Sequence, residues 1–124
     1  MPHILLVDDK NLMVQLFKCH LEVHGYRVTI AHDSVTALDT VKRKAVDAVI
    51  TDISMPGLND EELLPQLRTY QPELPAIIVS GYTRNFTWDM DDKTKLFSKP
   101  VDLPQLLASL DVLVHAHTEL TRAA

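Results

Sequence analysis

Short apolar runs alternate along the chain with longer segments of helical periodicity. Five of these runs predict strands, at residues 3–7, 27–31, 48–51, 76–79 and 96–98. Each run is too short for a helix, and continuous apolar runs are typical of strands that are buried on both faces. Strands that alternate with helices form a parallel sheet covered on both sides. We therefore expect one doubly wound α/β domain over residues 1–124.

The first two helices should follow the first two strands. One is predicted from Lys10 to about His24, where Gly25 ends it. Its apolar positions recur at helical spacing: Leu12, Leu16, Cys19 and Val23. The other is predicted from a cap at Asp33 or Ser34 to about Lys44. The residues expected on its inner face are Val35, Leu38 and Val41.

Two further helices are predicted after the third and fifth strands. Asn59 or Asp60 caps the earlier one, and Pro65 inside it should kink it or remove a hydrogen bond. Its apolar residues are Leu63, Leu64 and Leu67. The last helix begins after Asp102 with a capping pattern and is expected to bury Leu106, Leu107, Leu110 and Leu113. Residues 81–95 have no clear period, and we predict at most a weak helix there.

Composition and charge narrow the function classes. The net charge of -5 disfavours nucleic acid or an anionic membrane as a direct partner. The short basic cluster Lys42-Arg43-Lys44 falls where a helix ends, which suits the helix dipole. Cys19 is the only cysteine, so an intrachain disulfide is excluded. No secretion signal or bilayer-spanning run is present in the sequence, and we expect a cytoplasmic protein.

Polar residues stand at the carboxyl ends of four of the five predicted strands. Asp8-Asp9 follow the first strand, Asp52 ends the third, Ser80 follows the fourth and Lys99 follows the fifth. In open parallel sheets, ligands bind outside the carboxyl ends of the strands. We therefore expect these side chains to meet in one crevice.

The chemistry of these residues favours phosphoryl transfer. Three neighbouring carboxylates repel one another unless a cation lies among them. Oxygen ligands suit a hard ion, so Mg²⁺ is predicted and Mn²⁺ is a possible substitute. Lys99 can bind an incoming phosphoryl oxygen. An aspartate can act as a nucleophile and become an aspartyl phosphate, to which Ser80 could donate a hydrogen bond.

The ordered set of these motifs resembles a response-regulator receiver domain of bacterial two-component signalling, over nearly the full chain. The segments that carry the resemblance are Ile4-Leu5-Leu6-Val7-Asp8-Asp9, Val49-Ile50-Thr51-Asp52 with Met55-Pro56-Gly57, Ser80-Gly81 and Lys99-Pro100. The resemblance implies a flavodoxin-like fold with strand order 2-1-3-4-5. It also implies that Asp52 is the phosphoacceptor and that Ser80 and Lys99 contact the phosphoryl group.

The resemblance implies a magnesium site as well. Asp8, Asp9 and Asp52 would hold the ion together with the backbone carbonyl of Ser54. The Lys99–Pro100 peptide bond would be cis.

Three features depart from the family pattern. Leu96 stands where such domains usually carry Tyr or Phe, and strand alternation should turn the neighbouring Phe97 to the opposite face. Lys10 follows the aspartate pair, where many members have an acid. The interval from Ser80 to Lys99 is shorter than usual.

The resemblance implies a phosphorylation switch that acts on itself, not an enzyme with a separate substrate. The expected phosphodonor is a histidine kinase or a histidine phosphotransfer protein. Since no DNA-binding domain follows in this sequence, we expect the output to come from contact with a downstream protein target, or from an output domain that lies outside this sequence. The domain itself is expected to be a monomer or weak dimer.

Other functions stay open at this point. Leu96 and the short interval before Lys99 leave room for a phosphorylation-independent binding module of the same fold. Phosphohydrolases of the haloacid dehalogenase type need a second Asp two residues after the nucleophile, where this chain has Ser54. A nucleotide- or flavin-binding domain is disfavoured because the chain has three glycines and no glycine-rich phosphate loop. His20 and His24 have a spacing that metals use, but a solvated helix face is the favoured interpretation.

Overall fold

The structure is a computed structural model that describes residues 2–8, 11–52, 60–80, 93–98 and 102–123. The described residues form a five-stranded parallel sheet in the order β2-β1-β3-β4-β5. The strands are β1 (His3–Val7), β2 (Arg27–Ala31), β3 (Ala48–Asp52), β4 (Ala76–Ser80) and β5 (Thr94–Ser98). Both the doubly wound class and the predicted strand order are confirmed.

Helices cover both faces of this sheet. They are α1 (Asn11–Val23), α2 (Ser34–Arg43), α3 (Asp60–Tyr70) and α4 (Leu103–Ala123). Because successive strand residues point to opposite faces, the sheet contributes to two separate cores. Leu5, Val49 and Ile78 pack with α2 and α3. On the other face, Ile50 and Ile77 pack with α1 and α4.

The predicted inner faces of α3 and α4 are confirmed. Leu63, Leu64 and Leu67 are buried in the core under α2 and α3. The helix α3 continues through Pro65, which does not end it. In α4, three of the four predicted leucines are buried, and Leu107 is partly buried against the same core.

On α1, the described residues of the stripe with helical spacing do not form the buried face. Leu16 and Val23 are 56% and 90% exposed, and Cys19 is exposed as well. Val14 and Leu21, which lie two helical turns apart, are fully buried instead. The helix therefore carries two apolar stripes, and packing against the sheet selects the stripe that holds Val14 and Leu21.

The inner face of α2 is partly as predicted. Val41 is buried and Leu38 packs against the core, but Val35 is 75% exposed. Ala37 and Thr40 complete the buried face. Val35 lies in the first turn of α2, one residue after Ser34.

Local signals at the helix ends are confirmed. The Thr36 amide donates to Asp33 Oδ1 at 2.7 Å, so Asp33 is the cap of α2. The Gln105 amide donates to Asp102 Oδ1 at 3.2 Å at the start of α4. Lys42 and Arg43 lie in the last turn of α2, as the dipole argument requires.

Gly25 ends α1 in a left-handed conformation with φ of 101°. Its amide donates to the Glu22 carbonyl at 3.1 Å, and the Tyr26 amide donates to the Leu21 carbonyl at 3.0 Å. This pair of hydrogen bonds is the Schellman motif, which favours glycine at the left-handed position. The motif also delivers Tyr26 and Leu21 to the same core.

Several predicted features lie outside the described residues. They are the turn at Met55-Pro56-Gly57, the cap at Asn59, the weak helix over most of 81–95 and the cis bond at Lys99–Pro100. Within the described ranges, no helix is both long enough and apolar enough to cross a bilayer.

Candidate functional site

Two aspartates end neighbouring strands at the carboxyl edge of the sheet. The parallel pairing of β1 with β3 aligns Val7 with Thr51. Asp8 and Asp52 each follow these residues directly, so their backbones are the next neighbours across the pair. Adjacent strands lie about 4.8 Å apart. The register therefore brings the two predicted carboxylate positions side by side.

The next strand adds a hydroxyl position to this edge. Asp52 pairs with Val79 on β4, so Ser80 lies one residue farther toward the carboxyl edge. Ser80 in turn pairs with Ser98 on β5. The edge thus carries Asp8, Asp52 and Ser80 at successive strand ends. The described part of the chain leaves out the side chains of Asp52 and Ser80. It also leaves out the whole of Asp9, Ser54 and Lys99.

Asp8 lies within the described part and is buried, with 9% of the residue exposed. Burying an ionised carboxylate is unfavourable unless a cation or hydrogen bonds compensate for the lost water. The Asp8 backbone is held by the end of β2: its amide donates to the Ala31 carbonyl at 3.0 Å. Its carbonyl oxygen accepts a hydrogen bond from His32 Nδ1 at 2.9 Å. The first predicted ligand is therefore buried and fixed from both sides of its backbone.

A hard cation fits this edge chemically. Asp8 offers carboxylate oxygens close to the backbone of Asp52, and oxygen donors are the ligands that Mg²⁺ prefers. Among the side chains that the structure describes, no three from His, Cys, Asp and Glu are grouped to hold a metal. Of the predicted metal ligands, only Asp8 has a side chain that the structure describes.

Leu96 and Phe97 point to opposite faces, as predicted. Leu96 is half-buried against the core under α2 and α3, and Phe97 packs against the core under α1 and α4. Leu96 pairs with Ile78, two residues before Ser80. Phe97 therefore does not replace the aromatic residue that the resemblance places at position 96.

No pattern in the sequence singled out His32. It follows Ala31, the last residue of β2, so it stands at the one strand end to which no polar residue had been assigned. Its ring reaches the carbonyl of Asp8, 24 positions away in the chain. The signal that could have found it is its place at a strand end beside the strand that carries the aspartate pair.

Most of the described side chains whose pKa is shifted lie at the opposite, amino edge of the sheet. Burial lowers the pKa of His3, the first residue of β1. Tyr26 directly precedes β2, and its hydroxyl donates a hydrogen bond to Asp111 of α4. The same carboxylate also forms a hydrogen bond with His24 Nε2 at 2.9 Å. His24 therefore bonds to α4 and does not simply face solvent, whereas His20 is exposed. These groups are structural contacts remote from the aspartates.

Comparisons with known proteins agree with this geometry. The sequence matches the response regulator receiver domain over residues 4–111. It is 31% identical over 123 residues to the transcriptional regulatory protein ZraR of Klebsiella oxytoca, which covers 97% of this chain and 28% of ZraR. It is 33% identical over 117 residues to the response regulator MprA of Mycobacterium avium, covering 90% of this chain and 50% of MprA. The chain thus spans half or less of these relatives.

Solved structures show the same fold. The CheY-like response regulator receiver domain protein of Methanospirillum hungatei superposes with a TM-score of 0.86 at 25% identity, covering 96% of this chain and 98% of that one. A response regulator receiver domain protein of Clostridium thermocellum gives 0.84 at 26% identity, covering 97% and 99%. With its parallel sheet, its strand-end aspartates and these matches, the chain belongs to the response regulator receiver domain family.

Proposed function

We propose that residues 1–124 form a single receiver domain in which Asp52 accepts a phosphoryl group. The donor is the phosphohistidine of a histidine kinase or of a histidine phosphotransfer protein. The observation that carries the proposal is the register of β1, β3 and β4. It supports a site in which Asp52, the last residue of the central strand β3, stands between Asp8 and Ser80.

The proposed metal ligands are Asp8, Asp9, Asp52 and the backbone carbonyl of Ser54. The burial of Asp8 and the all-oxygen donor set support Mg²⁺, with Mn²⁺ as a substitute. When bound, the ion supplies positive charge that offsets the repulsion among the carboxylates and the phosphoryl oxygens. Membership in the family supports the same assignment.

The residues of this chain supply the rest of the chemistry. A carboxylate oxygen of Asp52 attacks phosphorus, the phosphorus–nitrogen bond of the phosphohistidine breaks, and the imidazole leaves. The product is an acyl phosphate on Asp52. Lys99 pairs with a phosphoryl oxygen, and the hydroxyl of Ser80 donates a hydrogen bond to the same group. Attack by water later returns the free carboxylate and inorganic phosphate, so the domain acts only on itself.

The proposed output is a change in protein–protein contact with a downstream target. The net charge of -5 supports a protein partner over direct contact with nucleic acid or an anionic membrane. The domain acts as a monomer or weak dimer.

Intact mass measurement tests the phosphoacceptor. Incubation with acetyl phosphate and Mg²⁺ should add one phosphoryl group to the parent protein and none to Asp52→Asn. Asp39→Asn is the matched control, because Asp39 is an exposed aspartate on α2 that pairs with Arg43. It should be labelled like the parent.

Two results would count against the proposal. Undiminished labelling of Asp52→Asn would refute Asp52 as the acceptor. Labelling that survives removal of divalent ions by a chelator, or an unchanged Mg²⁺ affinity in Asp9→Ala, would refute the metal site. A parent protein that takes no phosphoryl group under any of these conditions would point to the phosphorylation-independent binding module.

A further inference from the structure

The end of β2 holds the backbone of Asp8 through two hydrogen bonds of different origin. The register of β1 with β2 ends with Val7 opposite Ala31, so Asp8 comes opposite His32. In a parallel pair, a residue bonds through its amide and its carbonyl to the residues that flank its partner. The Asp8 amide follows this rule and donates to the Ala31 carbonyl at 3.0 Å. The Asp8 carbonyl accepts a hydrogen bond from the side chain of His32, through Nδ1, at 2.9 Å.

The local chain explains why a side chain takes this place. Asp33, the next residue after His32, is already the cap of α2, and its carboxylate accepts from the Thr36 amide. At this point the backbone turns from the strand into the helix. The imidazole of His32 therefore adds one more contact between the ends of β1 and β2. That contact is at Asp8, the first of the predicted metal ligands.

We propose that His32 is a positioning residue for the metal-binding aspartates. The inference rests on the proposed function. The Asp8 carbonyl belongs to the peptide group that joins Asp8 to Asp9, and peptide groups are planar. A hydrogen bond that fixes this carbonyl therefore restricts the backbone torsion that adjoins the buried Asp8 side chain.

Two further features make that orientation matter. The Asp8 side chain is buried, so packing leaves it little freedom to correct a misplaced backbone. Mg²⁺ demands near-ideal octahedral geometry, so small displacements of a ligand weaken binding. Outer groups that orient metal ligands typically change metal affinity by about 10- to 100-fold when they are removed. Because His32 itself is exposed, we expect a loss near the lower end, about tenfold.

The geometry also assigns the proton on the ring. A carbonyl oxygen only accepts, so Nδ1 of His32 carries the hydrogen and Nε2 of the neutral ring does not. Asparagine places its amide nitrogen at the position of Nδ1, whereas glutamine places it near the position of Nε2. His32→Asn should therefore preserve the contact, and His32→Gln should lose it despite a similar size and polarity.

The first test uses the metal-free protein. Nitrogen chemical shifts of the His32 ring, recorded by NMR at a pH above the usual histidine range, should show the hydrogen on Nδ1. Shifts typical of the tautomer protonated on Nε2 would overturn the inference. This readout does not depend on metal binding or phosphorylation.

The second test is calorimetric titration with Mg²⁺ of four proteins and one control. His32→Ala and His32→Gln should bind about tenfold more weakly than the parent, and His32→Asn should bind within about twofold of it. His20→Ala, which removes an exposed histidine from α1, should bind like the parent. Urea unfolding without metal should give similar stabilities for His32→Asn and His32→Gln, which separates positioning from folding.

The outcomes distinguish this inference from the proposed function. A parent protein that binds Mg²⁺ while His32→Ala and His32→Gln bind equally well overturns the positioning role alone. A parent protein that does not bind Mg²⁺ overturns the proposed metal site, and this inference with it.

Discussion

The hydrogen bond between Tyr26 and Asp111 tests how one polar contact with α4 contributes to the stability of the domain. Tyr26 is 5% exposed and lies in the core under α1 and α4. Its hydroxyl donates a hydrogen bond to Asp111 Oδ1, and the other carboxylate oxygen bonds His24 Nε2 at 2.9 Å. Tyr26→Phe removes this hydroxyl and leaves the packed ring in place. The variant therefore isolates one polar contact between residues that are 85 positions apart.

The size of the effect follows from the environment of Asp111. A hydrogen bond to a charged group contributes about 1.5–3 kcal/mol. The Asp111 side chain is 48% exposed, so water screens the contact and can solvate the carboxylate once the hydroxyl is gone. We therefore expect a loss of about 1 kcal/mol. With an unfolding entropy of about 2.1 cal/mol/K per residue, this loss lowers Tm by about 4 °C.

The loss should depend on pH in a defined direction. Burial alone would raise the pKa of Asp111, but hydrogen bonds from His24 and Tyr26 outweigh it and lower that pKa. The carboxylate therefore stabilises the fold above its unfolded pKa, near 3.8, and this contribution disappears as pH falls through the folded value. Burial, and then the contact with Asp111, raises the pKa of Tyr26. The contribution of the neutral phenol is present below about pH 10 and decreases above it.

Thermal unfolding followed by circular dichroism measures this effect. The difference in Tm between parent and Tyr26→Phe should be largest between about pH 4 and pH 10, and smaller outside that range. Tyr70→Phe is the matched control, because Tyr70 is 49% exposed and its ring contact with Lys42 survives the change. It should shift stability by less than about 0.5 kcal/mol.

A double-mutant cycle gives the decisive comparison. In an Asp111→Ala background, Tyr26→Phe should cost much less than it does alone, since the acceptor is already gone. The same loss in both backgrounds, or a loss that does not vary with pH, would refute the reasoning.

Substitutions at Leu110 and Val112 test the packing of α4, and substitutions at Gly25 test the backbone conformation at the end of α1. Leu110→Ala should lower the free energy of unfolding by about 3 kcal/mol, because Leu110 is fully buried. Val112→Ala, at a position that is 67% exposed, should change it by less than about 0.5 kcal/mol; similar losses in urea unfolding would contradict the buried face of α4. Gly25→Ala should cost about 1 kcal/mol because φ is 101°, and Gly25→Asn should cost less. Equal stability of all three proteins would contradict the left-handed conformation.

The order and type of the described secondary structure elements could be predicted from local sequence patterns. The strands β1, β3 and β4 lie in the middle of the sheet with helices on both sides, so they read as continuous apolar runs. The helix caps at Asp33 and Asp102 were predictable because they depend on contacts only three residues apart. The position of Asp52 at a strand end followed from the same local pattern.

Tertiary structure decided which side of a helix faces the core. Helical spacing singled out a stripe on α1 that includes Leu16 and Val23, but a second stripe through Val14 and Leu21 has the same spacing and is the buried one. Spacing alone cannot rank two apolar stripes, because burial depends on the surface against which the helix packs. Packing against the sheet therefore determines which stripe of α1 is buried.

Long-range pairing decided the remaining features. The strand β5 begins at Thr94, two residues before the predicted start, because Thr94 pairs with Ala76 and accepts a hydrogen bond from Arg68 Nη2 at 3.0 Å. Backbone pairing of this kind leaves no periodic signal in an edge strand. The contact of His32 with Asp8 is similar, since nothing near either residue in the sequence specifies the other. Only the parallel pairing of β1 with β2 brings them together.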